Sequence, residues 1–144
     1  MKENSGTVTV KENFPVQPET LWNAWTNQQL ISQWFGSDPA GTVLSASLDV
    51  RPGGKFSISF RDDDQTQHTC SGIYREVAPG QRLSFTFTWQ NEPGTEALIE
   101  LTFFAHSGYT SLLLEHHNPG SAALHNYELG WKNTLAKLYT LLAA

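Results

Sequence analysis

The chain has 144 residues, a length suited to one compact domain with one core. Apolar residues make up 39% and charged residues 16%, which excludes a solvating disordered chain, while the 12% aromatic content suits either a filled or a hollow interior. The net charge is −5 and the nine basic residues are scattered, which excludes a phosphate-tracking stripe and with it nucleic acid as a partner.

Residues 1–6 read as a disordered polar tail and 7–144 as a single domain. The start is polar and no later stretch approaches membrane-spanning length, so a cytoplasmic protein without a membrane span is expected. Residues 7–14 alternate with period two and predict an opening strand, stopped by Pro15 and Pro18. Pro18-Glu19 is a helix-start signal, and Leu21, Trp22, Trp25, Leu30, Ile31 and Trp34 recur at near-helical spacing; two short helices broken near Thr26-Asn27 fit best.

After Gly36, Pro39 and Gly41 the period changes to that of strands. Runs at 43–50 and 55–61 flank Arg51-Pro52-Gly53-Gly54, whose paired glycines suit the positive φ of a tight reversal. Runs at 67–77 and 81–89, then at 97–105 and 109–117, flank Ala78-Pro79-Gly80 and His106-Ser107-Gly108, giving two further hairpins. Short turns cannot make parallel crossovers, so the meander is antiparallel. Asn118-Pro119-Gly120-Ser121 breaks the last strand, and Ser121 is the expected N-cap of a helix running to about Leu142. Leu124, Tyr127, Trp131, Leu135, Leu138 and Leu142 share one face of that helix and need the concave side of the sheet to cover them. The predicted architecture is α+β: a curved antiparallel sheet of six or seven strands, two short helices after the first strand, and a long C-terminal helix across the concave face.

Strand parity names the interior. Leu83, Phe85, Phe87 and Trp89 share one face, with Ser84, Thr86 and Thr88 on the polar outer one. The same argument turns Phe56, Ile58 and Phe60 inward, then Ile99, Leu101 and Phe103, and then Leu112, Leu114 and His116; His68, Cys70, Gly72 and Tyr74 also share a face. A curved sheet with a helix over its mouth can enclose more volume than its side chains fill. The candidate lining of such a cavity is Trp34, Phe56, Ile58, Tyr74, Phe85, Phe87, Trp89, Leu101, Phe103, Leu114, His116, Tyr127 and Trp131, each of which can equally be plain core. Gly130, inside a helix, signals either vacated space or close approach of helix to sheet.

Several residue sets resemble a known family. They are the runs from Val16 to Thr26, Gln33-Trp34-Phe35, from Asp49 to Phe56 across the Arg51-Pro52-Gly53-Gly54 turn, from Gly72 to Pro79, and from Leu83 to Trp89. They continue with Thr110-Ser111-Leu112 and with Gly130-Trp131 followed by Leu135 and Leu138. In order and spacing the chain resembles the activator of Hsp90 ATPase homologue-like (AHSA1-like) domain, within the START/Bet v 1-like superfamily that also holds lipid-transfer domains, plant allergens and polyketide cyclases. The resemblance implies a helix-grip fold with an internal cavity, but no shared catalytic residues. The expected function is binding of a small hydrophobic or amphipathic molecule, with a cyclase- or hydrolase-type enzyme in the same cavity, or a chaperone-activator-like protein-binding domain, as alternatives. In the eukaryotic co-chaperone a second, N-terminal domain engages the chaperone, so a chaperone partner does not follow from this domain alone.

No catalytic residue, metal ligand or cofactor is assigned from the sequence. Single Cys70 cannot form an internal disulfide and no Ser or Cys nucleophile signature is present. His116 and His117 are adjacent on a strand and point to opposite faces, so they cannot share a ligand set. For the enzyme alternative, His116 with His68, Tyr74 or Tyr127 would serve as acid and base. Asp62-Asp63-Asp64 reads as a solvated hairpin tip, and His106 and His125 as a turn residue and a helix-start residue. A monomer and a homodimer are both compatible with the sequence.

Overall fold

A computed structural model describes residues 6–92, 96–119 and 126–144. The chain runs β1 (Thr7–Phe14), α1 (Pro18–Thr26), α2 (Gln28–Ile31), β2 (Thr42–Leu48), β3 (Lys55–Arg61), β4 (Gln67–Ala78), β5 (Arg82–Trp89), β6 (Ala97–His106), β7 (Tyr109–His117) and α3 (Tyr127–Ala143). The strands form one seven-stranded sheet in the order β1-β7-β6-β5-β4-β3-β2, every neighbouring pair antiparallel. This is the α+β helix-grip architecture expected from the alternating strands and the apolar helix stripe.

Local chemistry explains the two short helices. Pro18 sits in the first turn of α1, where its missing N–H costs nothing, and Asn27 ends α1 and caps α2 by accepting from the amides of Gln29 at 2.9 Å and Leu30 at 3.0 Å. The pair is clamped by the indoles: Trp34 donates Nε1–H to the Ala24 carbonyl at 3.1 Å and meets Trp25 edge-on at 4.7 Å. The side chain of Gln28 then accepts from the Leu48 amide at 3.1 Å, covering part of the exposed edge strand β2.

At the Arg51–Gly54 turn the two glycines do different work. Gly53 takes φ +85°, whereas Gly54 is there because a Cβ would collide with the Asp49 carbonyl oxygen. The turn folds back onto β4, with Gly53 donating to the Tyr74 carbonyl at 2.8 Å and Tyr74 donating to that of Gly54 at 2.9 Å. Gly72 is an equally tight site, since a Cβ would strike the Thr86 carbonyl oxygen on β5. A register shift between Tyr74 and Glu76 follows, bending the sheet around its contents.

Three local expectations change. The first strand of the first hairpin ends at Leu48, short of Val50, because Asp49 and Arg51 already belong to the turn's hydrogen bonds. Ser84 and Thr86, placed on a polar outer face, are both 4% exposed. Thr86 accepts from the Ile73 amide at 2.8 Å, and Arg82 lies along the same face as Ser84, bridging Glu76 at 2.8 Å and Glu100 at 2.7 Å. Helix α3 is capped at Asn126, whose side chain accepts from the Leu129 amide at 3.2 Å, five residues later than the expected cap; Ser121, Leu124 and His125 lie outside the described residues.

Trp131, Thr134, Leu135 and Leu138 form the buried face of α3, with Tyr127 and Leu142 half-buried at its margins. At about 1.5–3 kcal/mol for each large apolar side chain fully buried, this stripe holds the helix on the sheet far more strongly than its own propensity could.

Candidate functional site

The interior is not filled. Between the N-terminal half of α3, the strands β3 to β5 and the loop after α2 lies a cavity of about 320 Å³. Its wall is a closed circuit of five aromatic rings. Phe35 lies 5.6 Å from Phe60, Phe60 5.9 Å from Trp89, Trp89 5.1 Å from Phe87, Phe87 6.0 Å from Trp131, and Trp131 6.3 Å from Phe35. Tilted and edge-on pairs at these spacings hold one another, so the enclosure is braced by its own lining.

Both wall indoles have their N–H groups engaged by protein partners. Trp89 donates Nε1–H to the Tyr127 hydroxyl at 2.8 Å, and Trp131 donates to Nδ1 of His116 at 3.0 Å. What they offer the cavity is ring surface. Gly130 opens it further: a Cβ there would meet only the Cβ of Ser37, at 3.7 Å, so this glycine marks vacated space rather than close approach of helix to sheet.

Asp62 follows β3 and His68 is the second residue of β4; their side chains meet at 2.8 Å, Nε2 to Oδ2, and both line the cavity together with Ser37, Asn91, Asn126 and Thr134. The rim is tied down from three directions. Lys137 of α3 donates Nζ protons to the carbonyls of Asp38 at 3.0 Å and Gly36 at 3.3 Å. The Asp38 carboxylate accepts from the amides of Asp63 at 2.8 Å and Ala40 at 2.9 Å, and these amides hold its pKa below the usual carboxylate value. Burial of Lys137 lowers the pKa of its ammonium, against the pull of Asp38 and Asp62.

Of the thirteen residues expected to line a cavity, Phe87, Trp89, Tyr127 and Trp131 line this one. Phe56, Ile58, Tyr74 and Phe85 surround a second space of about 10 Å³, separated from the first by Phe35 and Phe87, which belong to both linings. Trp34, Leu101, Phe103 and Leu114 are core: Trp34 stands behind Phe35 at 5.9 Å, Phe103 packs on Trp22 at 5.6 Å, and Leu101 and Leu114 pair across β6 and β7 with no exposure. His116 is fully buried behind the wall, where it orients Trp131, so parity placed it on the inner face but not at the cavity. Tyr74 belongs to the other compartment, and burial raises the pKa of its hydroxyl strongly, keeping it neutral.

Sequence reading passed over Asp62, treated as part of a solvated tip, and the loop residues Gly36 and Ser37. Gly36 carried a signal, since its φ of +113° lays the rim against the ring of Phe60. Outside the cavity, Glu100, Glu115 and His117 bring potential metal-ligating atoms within 4.8 Å of one another on the convex face. There Glu100 is already met by Arg82 at 2.7 Å and His117 at 2.8 Å, and His117 also bonds Thr7 at 3.0 Å, so both ring nitrogens of His117 are engaged within the protein. The convex face also carries a wider, more open depression of about 500 Å³, bordered by Ser57, Ser71, Thr86 and Thr88 and lacking an aromatic wall.

Residues 15–143 match the family described as Activator of Hsp90 ATPase homolog 1-like protein. The chain belongs to that family. The human activator of 90 kDa heat shock protein ATPase homolog 1 is 29% identical over 109 residues, 75% of this chain and 28% of its own length. The chain thus spans little more than a quarter of the curated relatives it matches. Among solved structures, a Chromobacterium violaceum protein superposes with a TM-score of 0.86 at 20% identity, covering 96% of this chain and 99% of that one. An AHSA1 protein of Silicibacter pomeroyi gives 0.83 at 25% identity, covering 96% and 98%. These likenesses extend along the whole fold. Among the described residues no helix is long and apolar enough to cross a membrane.

Proposed function

We propose that this AHSA1-like domain binds a small, largely apolar molecule inside the five-ring enclosure. The observation that carries this reading is the circuit of five mutually contacting aromatic rings lining about 320 Å³, with the Trp131 N–H taken up by His116 behind the wall. An interior evolved only for stability would be filled, because unfilled volume forfeits dispersion contacts and costs stability in proportion to its size. The volume lies at the lower end of the roughly 300–1,000 Å³ found for ligand pockets, which favours compact ligands over long acyl chains.

Filling the cavity from α3 tests this. Gly130→Trp adds an indole where only Ser37 stands near. With N-phenyl-1-naphthylamine as an apolar fluorescent probe, the unaltered protein is expected to give saturable enhancement and the variant to lose at least about tenfold in affinity with its near-UV circular dichroism retained. Equal uptake by a folded variant would place the probe elsewhere and overturn the reading.

A second reading, a chaperone contact, is favoured by the relation to the human activator, whose matched region is about a quarter of that protein. It predicts direct association with the host's Hsp90-type chaperone through the outer surface, unaffected by Gly130→Trp. Absence of association in a purified two-component titration would remove it.

A further inference from the structure

The Asp62–His68 pair is the acid–base feature of the cavity. A carboxylate only accepts, so the 2.8 Å contact places a proton on Nε2 of His68, and when the ring carries that one proton Nδ1 is its lone pair. Among the described residues Nδ1 makes no hydrogen bond. The ring itself is fixed, tilted over Phe60 at 5.1 Å and edge-on to Trp89 at 6.0 Å. A base oriented by a carboxylate and set into an aromatic wall is the arrangement that general-base chemistry needs.

The Tyr127 hydroxyl accepts from Trp89, and burial raises its pKa, so it stays a neutral phenol. The charges facing the pair come from two elements: Asp64 in the same turn, within electrostatic reach of His68, and Lys137 from α3, within electrostatic reach of Asp62.

We propose that the ligand is a flat phenol or enol of one or two rings, seated with its acidic hydroxyl on His68. This rests on the cavity being a binding site and adds a polar pole to it. The ligand's O–H bond breaks, its proton forms the N–H bond at Nδ1, and the electron pair stays on oxygen. The oxyanion is then paired with an imidazolium whose other N–H is held by Asp62. Size and shape follow from the ring circuit, because a planar molecule can lie against Phe87, Trp89 and Trp131, which line the same cavity as His68.

The test uses 4-nitrophenol, whose phenolate absorbs apart from its phenol, and nitrobenzene, which lacks the hydroxyl. Both are titrated against the full chain by quenching of tryptophan fluorescence and by calorimetry. The expected result is about tenfold or more tighter binding of 4-nitrophenol, with the bound dye shifted towards phenolate at a pH where the free dye is mostly phenol. His68→Phe should abolish the preference and the spectral shift while nitrobenzene still binds; His68→Gln, which keeps a polar side chain of similar reach but no base, should abolish the spectral shift and guard against a folding artefact in the first variant. Asp62→Asn should reduce the shift. Equal affinity for the two probes, or an unchanged phenolate shift in both His68 variants, would overturn this proposal and leave the binding reading standing. Failure of both probes to bind at millimolar concentration would overturn the two together.

Discussion

Trp131 and His116 are joined by one hydrogen bond of 3.0 Å, and much of the wall depends on it. Both side chains are buried, His116 completely, so removing the imidazole strands a buried indole N–H and leaves a void. His116→Ala is expected to cost about 2–4 kcal/mol, read as a lower urea midpoint with an unchanged slope. An unaffected midpoint would mean that Trp131 is held by packing alone. Period-two alternation turned His116 inward, yet alternation carries no information on depth. Whether an inward residue meets a cavity or stands behind an indole depends on a helix fifteen residues away, and only tertiary packing decides it. Asp62 shows the converse: three consecutive aspartates look like a solvated tip, but one of them is recruited by His68 six residues later.

At the level of elements, β4 and the rim loop set the cavity's shape. Gly72 sits where a Cβ would collide with the backbone of β5, and backbone cannot step aside as a flexible side chain can. Gly72→Ala is therefore expected to destabilise by more than about 3 kcal/mol, measurable by thermal or urea unfolding, and a neutral effect would show that the strand pair separates more easily than this geometry implies. The rim is a pH-dependent device. Asp38 has a pKa lowered below 3.8 by the amides of Asp63 and Ala40, so its contribution is complete above 3.8 and is lost as the pH falls through its lowered value. The gap in melting temperature between the unaltered protein and Asp38→Ala should accordingly be constant near neutrality and close in acid; a gap that persists fully protonated would assign the effect to packing. The strands and both short helices were legible because alternation, Pro18 and Asn27 are local signals. The rim was not: its contacts join Gly36 and Asp38 to Lys137 about a hundred residues on, and no local pattern announces a pairing of that range.

Across the whole molecule, the meander brings β1 back beside β7, so the first and last strands of the sheet meet near α3 while β2 and β3 reach round to the loop after α2. The antiparallel meander from β2 to β7 and the helix over it were readable from turn lengths and the apolar stripe, and membership of the AHSA1-like family agrees with them, whereas the pairing of β1 with β7 spans about a hundred residues and has no local signal. The hollow was not readable, because a period names faces and not the volume between them. The most direct measurement uses the five tryptophans as reporters at known positions. In a ¹⁵N-labelled sample titrated with naphthalene, the indole N–H signals of Trp89 and Trp131 should move together and saturate, while those of Trp22 and Trp34, away from the cavity, hold still. Signals of Trp89 and Trp131 that stay fixed while the probe binds, or shifts centred on Trp22 or Trp34, would contradict a ligand site inside the aromatic circuit.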